Sequence, residues 1–357
     1  MSFSILGGFL QWSFWELALL ALGLTHCTIV SVTLYLHRAE AHRSLLLSPA
    51  LAHAFRFWLW FTTGMKTKEW VAVHRKHHAR CETPDDPHSP QIYGLPRVLF
   101  GGITLYRKAA ADPDTLAHYG RGTPDDLLER RLYVPHPWLG IGIMALIECA
   151  LFGLSGLLVL AVQLVWIPFW AAGVINGVGH HSGYRGHDTP DASTNIVPIG
   201  IVIGGEELHN NHHAFPWSAK FSTRWYEWDI GWGYIRVFAL LRLLRVKRRA
   251  PLLRYGDPRD PDQDLLAAIA AHRLAILHRY VSAMRSACRA ELRALRATYD
   301  QKDLRELRSL MALLLSKDSS VRTSADRERL APLLAAHPAL ALMDRMRADL
   351  TALLRPD

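Results

Sequence analysis

The long stretches with almost no charge constrain this chain more than anything else in it. Residues 1–36 hold no Lys or Arg, and residues 139–175 carry a single charge, Glu148. A helix crosses a hydrocarbon layer of about 30 Å with roughly 20 apolar residues, so runs of this length read as membrane spans rather than globular core. Residues 12–36 predict one crossing, with Trp12 and Trp15 as interface anchors. Residues 139–153 and 156–175 predict two more, joined by a hairpin at Gly153 to Gly156. No cation precedes the first run, and Arg38 and Arg43 follow it. The positive-inside rule therefore places the N-terminus outside and His37 in the cytoplasm. A basic n-region and an A-x-A site are both missing, so a cleaved signal peptide is not expected.

Eight histidines gather at the ends of these apolar runs: His37 and His42, then His74, His77 and His78, then His209, His212 and His213. Neutral imidazole is a common metal ligand. One such histidine is more often a cap or a surface residue, but three tight groups are hard to explain that way. In H-x-x-H-H the first histidine faces the other two across one helical turn. His37 and His42 are five apart, which on a regular α-helix points them about 140° apart. They are expected to serve different metals or to straddle a helix end. Eight imidazoles exceed the four ligands of a structural zinc and suit two metals with open positions, for which iron is the natural candidate.

One metal centre cannot draw ligands from both sides of a membrane. Residues 45–64 are apolar but interrupted by His53 and Arg56, and a full crossing there would separate His74 from His37. They are expected to lie in the interface instead. The resulting fold class is all-α and integral to the membrane: few transmembrane helices plus an interfacial helix, capped by a cytoplasmic helical domain that holds the metals. Residues 1–257 form that unit. From 258 to 357 the composition shifts to Ala, Leu and Arg with helical periodicity, and Leu265, Ile269, Leu274, Ile276 and Tyr280 suggest one apolar face of a cytoplasmic extension of three or four helices. The net charge of +9 gathers in places such as Arg242 to Arg249 beside the spans, which suits an anionic lipid surface. The tail mixes charges of both signs and has few aromatics, so no nucleic-acid role is expected. Four dispersed cysteines form neither a disulfide framework nor a zinc knuckle.

The boxes H-x4-H, H-x2-H-H and H-x2-H-H resemble those of the membrane fatty acyl desaturases, over roughly residues 20–250. The likeness extends to Lys68-Glu69-Trp70 before the second box and to Cys81 through Asp86-Pro87-His88 after it. It also covers Gly205-Glu206-Glu207-Leu208-His209 through Phe215-Pro216, and Arg224 through Asp229. Bacterial members of the acyl-CoA desaturase-like branch are most similar. The resemblance implies a di-iron centre that reduces O2 and takes two hydrogens from an acyl chain, giving an alkene, Δ9-type, and two waters. It adds Asn176, reaching a metal through water, and His180 as ninth imidazole. His181 is read as a hydrogen-bonding neighbour. Glu40, Glu206 and Asp86 are candidates to orient imidazole N–H groups. Trp70, Arg107 and Lys108 are the candidate substrate-binding residues, and Phe57, Trp58, Trp60 and Phe61 join Trp70 in an aromatic-rich stretch that is more often core or lipid contact than tunnel.

One departure concerns the head group. Animal acyl-CoA desaturases carry an Arg-Asp pair before the second box, where this chain has Ala72-Val73. A phospholipid-linked acyl chain therefore stays beside acyl-CoA as substrate. No flavin, nicotinamide, ferredoxin or cytochrome b5 motif is present, so the resemblance implies a separate electron donor: a ferredoxin, a cytochrome b5-like protein or a flavoprotein reductase. The expected location is a bacterial inner membrane with the site on the cytoplasmic side. A membrane di-iron acyl or alkane hydroxylase is the alternative enzyme. A metal transporter would instead be expected to carry its ligands near the middle of the spans.

Overall fold

The structure is a computed structural model describing residues 4–250, 301–316 and 322–353, with scattered positions between 266 and 293. It divides into two units, Met1–Ala250 and Pro251–Asp357.

The first unit is mostly helical. Helix α1 (Phe14–Ser31) starts at a capping box, in which Ser13 N–H donates to Glu16 Oε2 (2.7 Å) and Ser13 Oγ accepts from the Glu16 N–H. It runs without a break into a π-helix, Val32–Ala41, so the first apolar run is helical over Phe14–Ala41, five residues beyond the expected end. Helices α2 (Pro49–Thr63) and α3 (Thr67–Arg80) follow, separated by a turn at Gly64, φ +64°, where a side chain would collide with the Pro137 carbonyl. Short α4 (Pro90–Tyr93), α5 (Leu95–Ala110) and α6 (Pro113–Tyr119) come next.

The second apolar region is α7 (Pro137–Phe152), a turn at Gly153 (φ +61°), and α8 (Leu154–Ile167). Helix α8 continues as a π-helix, Pro168–Ile175, and one last turn, α9 (Asn176–Val178). Pro168 cannot donate to the ladder and crowds the preceding turn, which the wider winding accommodates. Two continuous helices, Phe14–Ala41 and Leu154–Val178, are long and apolar enough to cross a membrane; Pro137–Phe152 is shorter. The Phe9 N–H donates to Ala150 O and the Leu154 N–H to Ile5 O, so the N-terminal residues pack on the α7–α8 turn.

Residues 45–64 are not one element. Leu45–Leu47 form strand β1, and only Pro49–Thr63 are helical. The helix buries Leu51, Phe55, Leu59 and Trp60, and Arg56 is buried against Asp126 (2.6 Å) and Glu129 (3.6 Å). Its cation is thus accounted for by protein carboxylates. At about 22 Å, α2 is short of a bilayer core.

The remaining elements are β2 (Ile199–Gly200), α10 (His209–Ala214), β3 (Trp228–Asp229), α11 (Ile230–Leu240) and β4 (Leu244–Val246). Strands β1 and β4 pair antiparallel (Leu45↔Val246), and β2 and β3 pair parallel (Ile199↔Trp228). These small sheets depart from an all-α expectation, because short extended segments fix the chain on either side of α10 and α11. Arg38, fully buried, ties them to the first span: it donates to Asp229 Oδ1 (2.9 Å), Ala219 O (2.9 Å) and Gly204 O (3.0 Å) and lies 3.8 Å over Phe221. The core around it includes Leu34, Tyr35, Leu36, Leu59 and Ile235.

In the second unit, helices Gln301–Ser316, Ser324–Ala336 and Pro338–Leu353 enclose Met311, Leu314, Leu330, Leu333 and Leu340. Arg322 pairs with Asp344 (2.6 Å). Of the apolar face expected over 265–280, Leu265 and Leu274 lie outside the described residues.

Candidate metal centre

The π-helix resolves the awkward spacing of His37 and His42. Its i→i+5 bonding brings residues five apart nearly into line. The His42 N–H donates to His37 O (3.1 Å), and the two rings lie 4.9 Å apart. Both therefore join one group, against the expectation of different metals; His42 does sit at the helix end.

Helix α3 lies alongside the π-helix, with Thr67 Oγ1 3.2 Å from Tyr35 Oη and His74 Nε2 2.8 Å from His42 Nε2. Its histidines fall on successive turns, so His74 and His78 meet the first group while His77 faces another way. Helix α10 sends His212 into the first group, 3.0 Å from His37 Nε2 and 2.9 Å from His78 Nε2. His37, His42, His74, His78 and His212 thus converge. A second group joins His77, Cys81, His180 and His213. His180 Nε2 lies 3.1 Å from His77 Nε2 and 2.9 Å from His209 Nε2. Asn176 lines the adjoining cavity beside His209. His181 is exposed and 2.7 Å from Ser182 Oγ.

The hydrogen bonds behind these rings fix which nitrogen carries the proton. His37 Nδ1 donates to Glu206 Oε1 (2.8 Å), which also accepts from Thr33 Oγ1 (2.6 Å). His77 Nδ1 donates to Asp86 Oδ1 (3.0 Å). A carboxylate can only accept, so the Nε2 atoms facing inward carry bare lone pairs. The Glu40 carboxyl instead lies among the cations of Arg43, Arg75 and Arg56. Two carboxylates absent from the sequence expectations face imidazole Nδ1 atoms. Glu82 Oε1 lies 3.3 Å from His180 Nδ1, and His213 Nδ1 donates to Asp191 Oδ2 (3.0 Å). Glu82 was legible only as part of the motif after the second box, and Asp191 gave no signal, lying 22 residues before its partner.

Burial, and after it the neighbouring imidazoles, holds His42, His74, His77, His78, His209, His212 and His213 well below the usual histidine range. They are neutral, the form that binds metal. His77 and His180 both turn Nδ1 to a carboxylate, so their Nε2 lone pairs face one another at 3.1 Å with no proton to bridge them, an arrangement that a cation between them relieves. His213 Nε2 is also buried without a partner. The residues present therefore fit metal ions.

A cavity of about 160 Å³ opens beside the first group. Ile29, Val32, Ile103, Leu164 and Ile167 give it apolar walls, and Trp70 stacks on His74 (4.9 Å, 15°) at its inner end. Of the aromatic stretch only Trp70 lines it. Trp60 is buried on Tyr133, Trp58 donates to Thr28 Oγ1 (3.0 Å), and exposed Phe57 stacks on Phe61. Arg107 and Lys108 are exposed at the end of α5, next to Tyr106, which lines the cavity. Ala72 and Val73, where the animal enzymes carry charge, are buried.

The sequence matches the family described as fatty acid desaturase over residues 13–250. It is 31% identical over 229 residues to an acyl-CoA 5-desaturase of Anemone leveillei, covering 61% of this chain and 67% of that protein. It is 30% identical over 244 residues to a Delta-9 desaturase-like protein of Arabidopsis thaliana, covering 64% and 76%. An sn-1 stearoyl-lipid 9-desaturase of Synechocystis is 28% identical over 222 residues, covering 60% and 66%. Two helices able to cross a membrane, two groups of convergent histidines and a match over most of the first unit agree: the chain belongs to the fatty acid desaturase family and is a fatty acyl desaturase of lipid metabolism.

Proposed function

We propose that this chain places a double bond, Δ9-type, in a long-chain acyl group at a di-iron centre, using O2 and two electrons from a separate donor. The observation that carries the proposal is the pair of inward-facing imidazole groups next to an apolar cavity between the long helices. His37, His42, His74, His78 and His212 would hold one iron. His77, His180, His209 and His213 would hold the other, with Asn176 acting through water. Irons bound there would supply the reduction of O2 coupled to loss of two hydrogens from adjacent carbons.

The chain's own residues then have definite tasks. Glu206, Asp86, Glu82 and Asp191 hold imidazole N–H groups so that the opposite nitrogens point inward. Val32, Ile103 and Ile167 exclude water from the acyl chain, and Trp70 limits its approach to the imidazoles. Arg107 and Lys108 lie where an anionic head group, coenzyme A or phospholipid, could meet them. The buried Ala72-Val73 pair leaves no charge at the other position.

Arg38 and Arg43 after the first apolar run, and the histidines at one end of both long helices, support a cytoplasmic site in this reading. In this reading α2 stays on the same side as an interfacial helix, supported by its length and by α3 beginning level with Tyr35.

Expression in a bacterial host lacking desaturases, followed by double-bond mapping of the CoA and phospholipid pools, tests the reading. The expected product is a monounsaturated chain in at least one pool. An alcohol in its place would identify a hydroxylase.

A further inference from the structure

Cys81 brings a sulfur into the second imidazole group. It caps the end of α3, where the chain turns through Glu82 at φ +61°. The turn is pinned by the Glu82 N–H, which donates to Asp86 Oδ2 (2.7 Å). This geometry places Sγ 4.0 Å from His77 Nε2 and 3.9 Å from His180 Nδ1. One donor atom from each of His77, Cys81, His180 and His213 lies within 4.8 Å of the others.

His213 gives an independent sign that something binds here. Its side chain is 2% exposed, its Nδ1 is committed to Asp191, and its buried Nε2 has no partner. The first group has five imidazoles and no sulfur, so the two groups differ in chemistry.

Zinc takes sulfur at about 2.3 Å and imidazole at about 2.0–2.1 Å, so two such donors on one tetrahedral ion stand roughly 3.6 Å apart. The separation of Sγ from His77 Nε2 exceeds this by only a few tenths of an ångström, whereas His180 Nδ1 faces Glu82 and is not the nitrogen offered to the ion. Thiolate prefers soft and borderline ions, and one thiolate with three of this group's imidazoles makes a closed four-coordinate shell. Such a shell leaves no open position for O2.

We propose that Cys81 makes the second group a trap for soft divalent cations, Zn2+ and Cd2+, which lodge there in competition with iron. On binding, the S–H bond breaks, its proton goes to water and a sulfur–metal bond forms; no electron changes hands. The proposal rests on reading the imidazole groups as metal sites.

The test titrates the metal-free full-length chain with Cd2+, reading sulfur-to-cadmium charge-transfer absorption in the ultraviolet and stoichiometry by equilibrium dialysis. The absorption is expected to saturate at one equivalent per chain. Cys81→Ala should remove it and weaken the tightest Cd2+ site by roughly tenfold or more, whereas Cys27→Ala and Cys149→Ala should keep it. In the unaltered chain, Cd2+ should also protect Cys81 from alkylation, read by peptide mass spectrometry, a result that does not depend on any variant folding. Bound cadmium without the absorption, or with Cys81 alkylated as fast as before, overturns the sulfur and leaves the imidazole sites standing. A chain that binds no divalent cation overturns both.

Discussion

His37 and His42 stand five residues apart, yet their rings lie 4.9 Å from each other in the same imidazole group. The π-helical winding of Val32–Ala41 is what aligns them, with the His42 N–H bonded to His37 O. π-Turns often occur where a helix must aim side chains at a functional site, and a regular helix here would turn one ring out of the group.

His212 joins His37 and His78 through contacts of 3.0 and 2.9 Å. His212→Ala is therefore expected to abolish unsaturated product in a desaturase-free host while the protein still fractionates with membranes. Iron content per chain should fall as well. Retained product would remove His212 from the site.

Glu206 and Asp86 act on the metals only through the rings they hold. Glu206→Ala and Asp86→Ala should each weaken iron binding by about 10- to 100-fold, measured by competition with a chelator. Asp86→Asn keeps an acceptor for the His77 N–H and should lose less than Asp86→Ala. Equal losses would show that the charge, not the orientation, matters.

Arg38 and Asp229 form a pair whose side chains are both inaccessible. Arg38→Met strands a buried carboxylate that also accepts from the Phe221 and Trp232 N–H groups (2.8 and 2.9 Å). The expected cost is about 3–5 kcal/mol, seen as a lower Tm of the detergent-solubilised protein. Arg38→Lys should not restore it, since an ammonium group cannot reach two carbonyls and a carboxylate with a planar fork.

Burial pushes the Glu129 carboxyl from 4.5 up to about 7, against the pull of Arg56. Between those two values the folded protein holds a proton that the unfolded chain has released. Stability contributed by this site therefore falls as pH rises from 4.5 to about 7, and levels off above. A Glu129→Gln variant should gain stability relative to the parent through that window, by a Tm difference that opens near pH 5 and is complete by about pH 8. A difference independent of pH would place the Glu129 proton elsewhere.

Treatment of the loaded protein with a strong chelator should remove two metal equivalents and all activity. Fe2+, and not Zn2+, should restore the activity. Recovery with Zn2+ alone would rule out redox work at the site.

The apolar runs behind the two long helices and the clustering of histidines at their ends were legible in the sequence because each depends on local pattern. Apolar run length sets what can cross a bilayer, and an H-x-x-H-H spacing sets which rings share a helical turn. Tertiary structure alone decided which rings meet. Helical phase puts His74 and His78 in one group and His77 in the other, and no periodicity assigns a π-helix that brings His42 into line. Glu82 and Asp191 became ring partners through loops whose paths depend on distant bonds, and Arg56 found its counter-charges in Asp126 and Glu129, some 70 residues on. Sequence fixes what is local, the length of a helix and the chemistry of a side chain. The pairing of charges and lone pairs across the chain follows from how the helices pack, because burial favours a partner for each polar group among whatever has been brought beside it.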